Sequence, residues 1–322
     1  MGYLTKYGSF WGQIPQTSGR VFWVAPAASY TVEGRTYVAS DNNDGLSPER
    51  ALLTADYAVG LCTASVGDVI VLLPGAHSYS ATVTVDVAGL TITGIPGNAP
   101  TPADRGPGGS TKNRSQVTTT ATAGAIFTVT AADTEIAWLD FVPIINGSAI
   151  SASNAADRLF VHDCTINVTT ADATDTFGIA FPLGTGTTTA NDDSVVKNCY
   201  FAASSNSGPA IRAAGTVLGL TIESCTFRLK GSTAWDDVIE STLSGSLGVL
   251  IRDCDFMQPT SATTVMTDCI DMTGMTVNAS THAYRCYFPT GSDAFEATAT
   301  PDICVAECYL ADTTSGAVTG SA

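Results

Sequence analysis

Charge is scarce in this sequence. Charged residues fill 14% of its 322 positions, and 14 Lys and Arg stand against 30 Asp and Glu, for a formal net charge of −16. A surface that tracks phosphates needs clustered Lys and Arg, so composition excludes nucleic acid as a partner. Histidine is rarer still: His77, His162 and His282 sit in unrelated settings. Long apolar runs are missing as well. Nothing approaches the roughly 18 apolar residues of a membrane span, and "MGYLTKYGSFWGQ" at the start lacks the uninterrupted apolar stretch of a secretory signal. These absences predict a chain made and folded in the cytosol, without a membrane partner, whose nine cysteines stay reduced. A Gly-rich phosphate loop, a nucleophile elbow and a calcium-binding nonapeptide repeat are also lacking, so no cofactor is expected.

What the sequence has in quantity is Thr, Ala, Ser and Gly, together with a recurring motif. "LFVHDCTI" at 159–166, "SVVKNCYF" at 194–201, "GLTIESCTF" at 219–227, "VLIRDCDF" at 249–256, "HAYRCYF" at 282–288 and "ICVAECYL" at 303–310 share one form: apolar residues alternating up to a cysteine, then one more apolar residue. Cys164, Cys199, Cys225, Cys254, Cys286 and Cys308 recur about every 22–35 residues, and an earlier copy, "IAWLDF", puts Leu139 in the cysteine's place. A second alternating strand can be phased on Ile150, Ile179, Ile211, Ile239, Ile270 and Phe295. Two short strands per period, with small polar residues between them, is the pattern of a solenoid. No Leu-x-x-Leu-x-Leu consensus or 3.6-residue period supports a leucine-rich or helical repeat. The prediction is therefore an all-β parallel β-helix, in which one coil cannot bury its apolar face alone and inward positions stack at roughly 4.8 Å.

The cysteines fit this stack as a core ladder, since cysteine is small, apolar and readily buried, and leucine replaces it once. A bond between stacked coils is sterically allowed, but the expected cytosolic origin argues against it. Zinc needs close thiolate pairs, and Cys304 with Cys308 has no second pair to complete a site. In "VLIRDCDF", Val249, Ile251, Cys254 and Phe256 are expected to point inward, with Arg252, Asp253 and Asp255 at the turn or in water.

Chemistry, if there is any, belongs to the second strand set. Phased on its apolar ladder, Asp237, Asp268 and Asp293 form one column, Glu240, Asp271 and Glu296 form another, and Arg212 lies one coil below Glu240. Carboxyls on neighbouring coils would stand roughly 5 Å apart, near the separation of a retaining glycosidase pair. Glu240, Asp271, Asp237 and Asp268 are thus the candidate catalytic residues, with Trp235 beside them to stack on a sugar ring. Stacked like charges otherwise call for shifted pKa values or a cation, and Asp268, Asp293 and Glu296 are candidate Ca²⁺ ligands. A solvated acidic face is the third reading of the same columns.

Residues 36–98 carry "DGLSPERALLTADYAV", "GDVIVLLPGAHSY" and "GLTITGIPG", and in them the chain resembles the opening of right-handed β-helix proteins of the pectin-lyase-like superfamily. The resemblance implies a right-handed, single-stranded β-helix with a short capping helix, here capped by Thr54 and covering the core with Ala55, Ala58 and Val59. It implies nothing definite about activity, because this fold hosts enzymes, adhesins and virion proteins. Residues 1–40 are rich in aromatics, and Phe10, Trp11, Phe22 and Trp23 are read as an attachment interface. That organisation is similar to virion-associated β-helix proteins of tailed phages, commonly trimers docked through an N-terminal region. The expected layout is an attachment segment at 1–40, a β-helix at 41–310 and a polar tail at 311–322. The expected function is a non-enzymatic capsid decoration or short spike bound to a major capsid, tail or portal protein. The alternatives are a tailspike-like polysaccharide depolymerase or an adhesin holding a host surface glycan.

Overall fold

The computed structural model of the chain describes residues 19–95, 114–120, 124–142, 147–168, 177–181, 191–203, 208–213, 217–230, 235–241, 248–258, 266–272, 280–289, 293–296 and 302–310. Among these residues the chain winds in coils whose strands pair in parallel with their equivalents in neighbouring coils, and a single antiparallel hairpin, Ser29–Val32 with Arg35–Val38, stands apart. A first sheet of ten strands runs from Val21–Val24 to Asp302–Ala306. A second sheet of nine runs from Gly75–Tyr79 to Tyr309–Leu310, and a third of eight from Val83–Val85 to Asp293–Glu296. This is the parallel β-helix that the repeat predicts. The phased ladder is in register throughout: Ile150 lies beside Ile179, then Ile211, Ile239, Ile270 and Phe295.

One detail differs from the two strands per period read in the sequence. Each full coil has three strands, because the residue before the cysteine breaks the motif in two. Trp138, Asp163, Asn198, Ser224, Asp253, Arg285 and Glu307 all take φ between 50° and 58°. That left-handed conformation turns the chain from the first sheet into the second in a single residue, and Asp and Asn tolerate it better than most side chains. A matching column sits five residues earlier, at Asp133, Arg158, Asp193, Gly219 and Gly248.

Inside the coils the apolar positions stack as ladders. Phe201, Phe227, Phe256 and Phe288 lie ring over ring, with centroids 5.0, 4.9 and 5.0 Å apart. The six ladder cysteines and Leu139 are buried beside them. Each cysteine thiol donates to the carbonyl two residues back, as Cys254 Sγ does to Arg252 O at 3.3 Å. In "VLIRDCDF" the inward set, Val249, Ile251, Cys254 and Phe256, is buried, and Asp255 is exposed.

The N-terminal end corrects the domain boundary. Val21–Val24 pairs with Val69–Leu72, so the β-helix already includes residues assigned to the attachment segment. Phe22 and Trp23 are 2% and 1% exposed within this chain, Phe22 in the main core and Trp23 in a smaller cluster with Tyr30, Val69 and Val71. They are core residues, not an interface. The physical reason is that "VFWV" completes the edge of the first sheet. Its free backbone groups are then closed by Gly45 O, which accepts from Trp23 N–H at 2.8 Å, and by Leu52 N–H, which donates to Trp23 O at 2.8 Å. Phe10, Trp11 and residues 311–322 lie outside the described residues. The capping helix, Ala55–Leu61, forms as expected: the Thr54 hydroxyl accepts from Tyr57 N–H at 3.2 Å, and Ala55, Ala58 and Val59 are buried.

Candidate functional site

The third sheet positions the acidic columns. In Trp235–Ser241 and Met266–Asp271 the inward Ile239 and Ile270 leave the next residue, Glu240 or Asp271, on the outer face. The register aligns Arg212, Glu240, Asp271 and Glu296 in one column and Asp237, Asp268 and Asp293 in the other, as phased from the sequence. Side chains of Asp293 and Glu296 lie outside the described residues.

Arg212 anchors the foot of the first column. Its guanidinium lies over the Phe177 ring, 4.7 Å from the centroid, and its Nε is 3.2 Å from Glu240 Oε2, an ion pair short of hydrogen-bond alignment. The Glu240 side chain is 13% exposed and Asp271 8%. Burial pushes the Glu240 carboxyl above the ordinary glutamate range; Arg212 opposes the rise and Asp271 adds to it. A carboxyl raised above its ordinary range, with a second carboxyl in register on the neighbouring strand, is the arrangement in which one group gives a proton while the other attacks or activates water.

One expectation changes. Trp235 is wholly buried, with its indole N–H donating to Gly208 O at 3.1 Å, so it packs the core and offers no face to a sugar. Of the Ca²⁺ candidates only Asp268 has a described side chain, and among the described residues no group of three His, Cys, Asp or Glu is placed to hold a metal ion.

The structure also assembles polar groups that the sequence did not bring together. On the first sheet, His162 donates Nε2–H to Glu135 at 2.8 Å and Nδ1–H to Asp163 at 2.7 Å, and Asn198 in the next coil donates to Asp163. The side-chain hydrogen bonds of Asp163 and Glu135 outweigh partial burial and raise His162 to about 9, so it is a fixed cation at neutral pH. Ion pairs continue along this edge: Lys197 and Arg252 both meet Glu223, and Arg285 meets Asp253 at 2.6 Å. On the second sheet, the buried Asp140 pairs with Arg114 at 3.4 Å and accepts from Asn167 Nδ2 at 3.3 Å. Every partner in both groups lies a coil or more away in sequence, beyond the reach of any local motif except the adjacent His162 and Asp163.

Solved structures resemble the fold of this chain over 79% to 95% of its length. Pectin methylesterase PemA from Erwinia chrysanthemi matches with a TM-score of 0.57 at 12% identity, over 95% of this chain and 92% of that one. The fold is the right-handed parallel β-helix of the pectin-lyase-like superfold. A deglycosylated pectin methylesterase from Aspergillus niger gives 0.54 at 12% identity, over 86% of this β-helix and 89% of its own chain. ORF18 of Geobacillus virus E2 gives 0.53 at 11%, over 79% of this chain and 48% of that longer one. No family model matches the sequence, and no curated protein does. At such identities the likeness carries the β-helix and its handedness, while function rests on the residues of the outer faces.

Proposed function

We propose that this β-helix acts on a carbohydrate, hydrolysing a bond of a surface polysaccharide at the third-sheet column Arg212, Glu240 and Asp271, and that it is carried on a phage particle. The observation that carries the reading is the register of Glu240 with Asp271 on the adjacent strand, outside the core, with Arg212 3.2 Å from Glu240 on the coil below and burial raising the Glu240 carboxyl above its ordinary range. Glu240 is the proton donor, Asp271 supplies the second carboxyl, and Arg212 holds Glu240 from the coil below. The named activities of the pectin methylesterase neighbours favour a carbohydrate-active β-helix over a purely structural decoration protein. The virus E2 protein among the neighbours supports a particle-borne setting; a capsid, tail or portal protein as docking partner and a trimer as the assembly are part of the proposal.

The test is a polysaccharide panel incubated with purified protein, with release of reducing ends and of ester-bound groups both measured. Glu240→Gln and Asp271→Asn are each expected to cut the rate by about 10²–10⁴-fold, the usual worth of a general acid or base. Unchanged rates in both variants would refute the assignment.

A second reading, the non-enzymatic spike or decoration, is favoured by the fixed ion pairs along the first-sheet edge, which stiffen a projecting rod without offering a reactive group. A wild-type protein inert on every polysaccharide yet bound to purified particles is the outcome that supports it.

A further inference from the structure

The second sheet turns a different surface to solvent near its C-terminal end. Thr226, Asp255, Tyr287 and Tyr309 occupy one outward column on four successive coils, and Met257 stands beside Asp255 in register with Arg228. Tyr287 is 44% exposed and Tyr309 55%, the two largest exposed rings of this face. Neither phenol has a hydrogen-bond partner or an aromatic ring against it among the described residues. The contrast with the same column further down is sharp. There Tyr200 is buried beneath Lys230, 5.2 Å from its ring.

We infer that Tyr287 and Tyr309, with Asp255 and Met257 below them, form a glycan-holding platform distinct from the third-sheet column. Parallel, in-register strands carry the two rings on successive coils, one strand spacing apart at the backbone. A linear chain of pyranose rings running along the axis would set successive apolar sugar faces on successive tyrosines. The rim of the patch narrows the occupant further. Asp255, Arg228 and the phenol oxygens are hydrogen-bonding groups around two isolated rings, which suits an occupant that alternates apolar faces with hydroxyls. An apolar protein surface would leave those groups unpaired, at a cost. The inference rests on the carbohydrate reading above, but on other residues, so the two can fail separately.

Native electrophoresis tests it, through gels cast with pectin, with hydroxyethyl cellulose or with dextran, set against a gel without polymer. Wild-type protein and Glu240→Gln should be retarded in at least one polymer, and Tyr287→Ala/Tyr309→Ala should lose that retardation roughly tenfold, as expected for two aromatic contacts. Both substitutions are on the outer face, so the circular-dichroism melt should stay that of the wild type. Absence of wild-type retardation in all three polymers, or equal retardation of the double variant, overturns the platform. So does light scattering in which the double variant changes the mass of the native species, since the face is then an interface between copies. Retardation lost only in Glu240→Gln places binding on the third sheet instead. Retardation by an inactive wild-type protein keeps the platform and removes the hydrolase.

Discussion

Cys254 is shut inside its coil, with its thiol on the Arg252 and Ile222 carbonyls. Burial of this kind removes a thiol from chemistry, because a reagent must reach it as the thiolate. Alkylation of the native protein followed by mass spectrometry is expected to label the exposed Cys304 and to spare Cys254. Phe227 occupies the middle of the ring stack, and Phe227→Ala should cost about 3–5 kcal/mol in denaturant unfolding, through lost burial and the cavity left behind. His77, inside the coil, and His162, on the outer face, bracket the pH range. His77 is buried with Nε2–H donating to Leu73 O, and burial lowers it to about 4 against an ordinary 6.5. Its contribution to stability is therefore complete above pH 6.5 and is lost as pH falls through 4. His162 is raised to about 9, so its contribution is complete below pH 6.5 and is lost as pH rises through 9. Melting temperatures across pH 4–10 should fall at both ends, and His162→Gln should flatten the alkaline fall alone.

Among the elements, the one-residue corner between the first and second sheets is the most demanding. A left-handed conformation costs a side chain other than Gly, Asn or Asp about 1–2 kcal/mol, and Trp138 is the bulkiest residue to carry it. Trp138→Asn should raise the melting temperature, by a gain of roughly 1 kcal/mol, whereas Asn198→Trp should lower it. These corners also explain what the sequence made legible. Apolar alternation and the cysteine repeat revealed the ladder, its register and the outward phasing of Glu240 and Asp271, because all of these repeat coil after coil. The corner itself hides in plain composition: Asp, Asn, Ser, Arg, Glu and Trp share the position with no common chemistry, only the absence of β-branching. Pairings such as Glu135 with His162 depend on which coil lies below which, and that appears only once the strands are stacked. The aromatic start misled for a related reason. Aromatic enrichment marks surfaces that will be covered, and in Phe22 and Trp23 the cover is the chain itself.

At the scale of the whole molecule, stability is a sum over neighbouring coils. The first coil is closed by the hydrogen bonds of Gly45 and Leu52 and by the capping helix, whereas Asp302–Ala306 and Tyr309–Leu310 are the outermost strands of their sheets among the described residues. Native-state hydrogen exchange should therefore find the weakest protection at the C-terminal coil and a rise toward the middle. The Tyr309 amide, on Cys286 O, is expected to exchange faster than the Tyr200 amide, on Cys164 O. Equal protection at the two amides would show that the coils open together.

The paired left-handed columns have one more consequence. The five-residue step from Asp133 to Trp138 recurs from Arg158 to Asp163, Asp193 to Asn198, Gly219 to Ser224 and Gly248 to Asp253, while the full period wanders. One face of the molecule thus works as a gauge of fixed width, and every change in coil length has been pushed onto the other two. An extra residue spliced inside the gauge would throw all later coils out of step. A change of length outside the gauge leaves it untouched, which makes this solenoid a carrier whose other faces can be lengthened, exchanged or borrowed while the spine keeps its count.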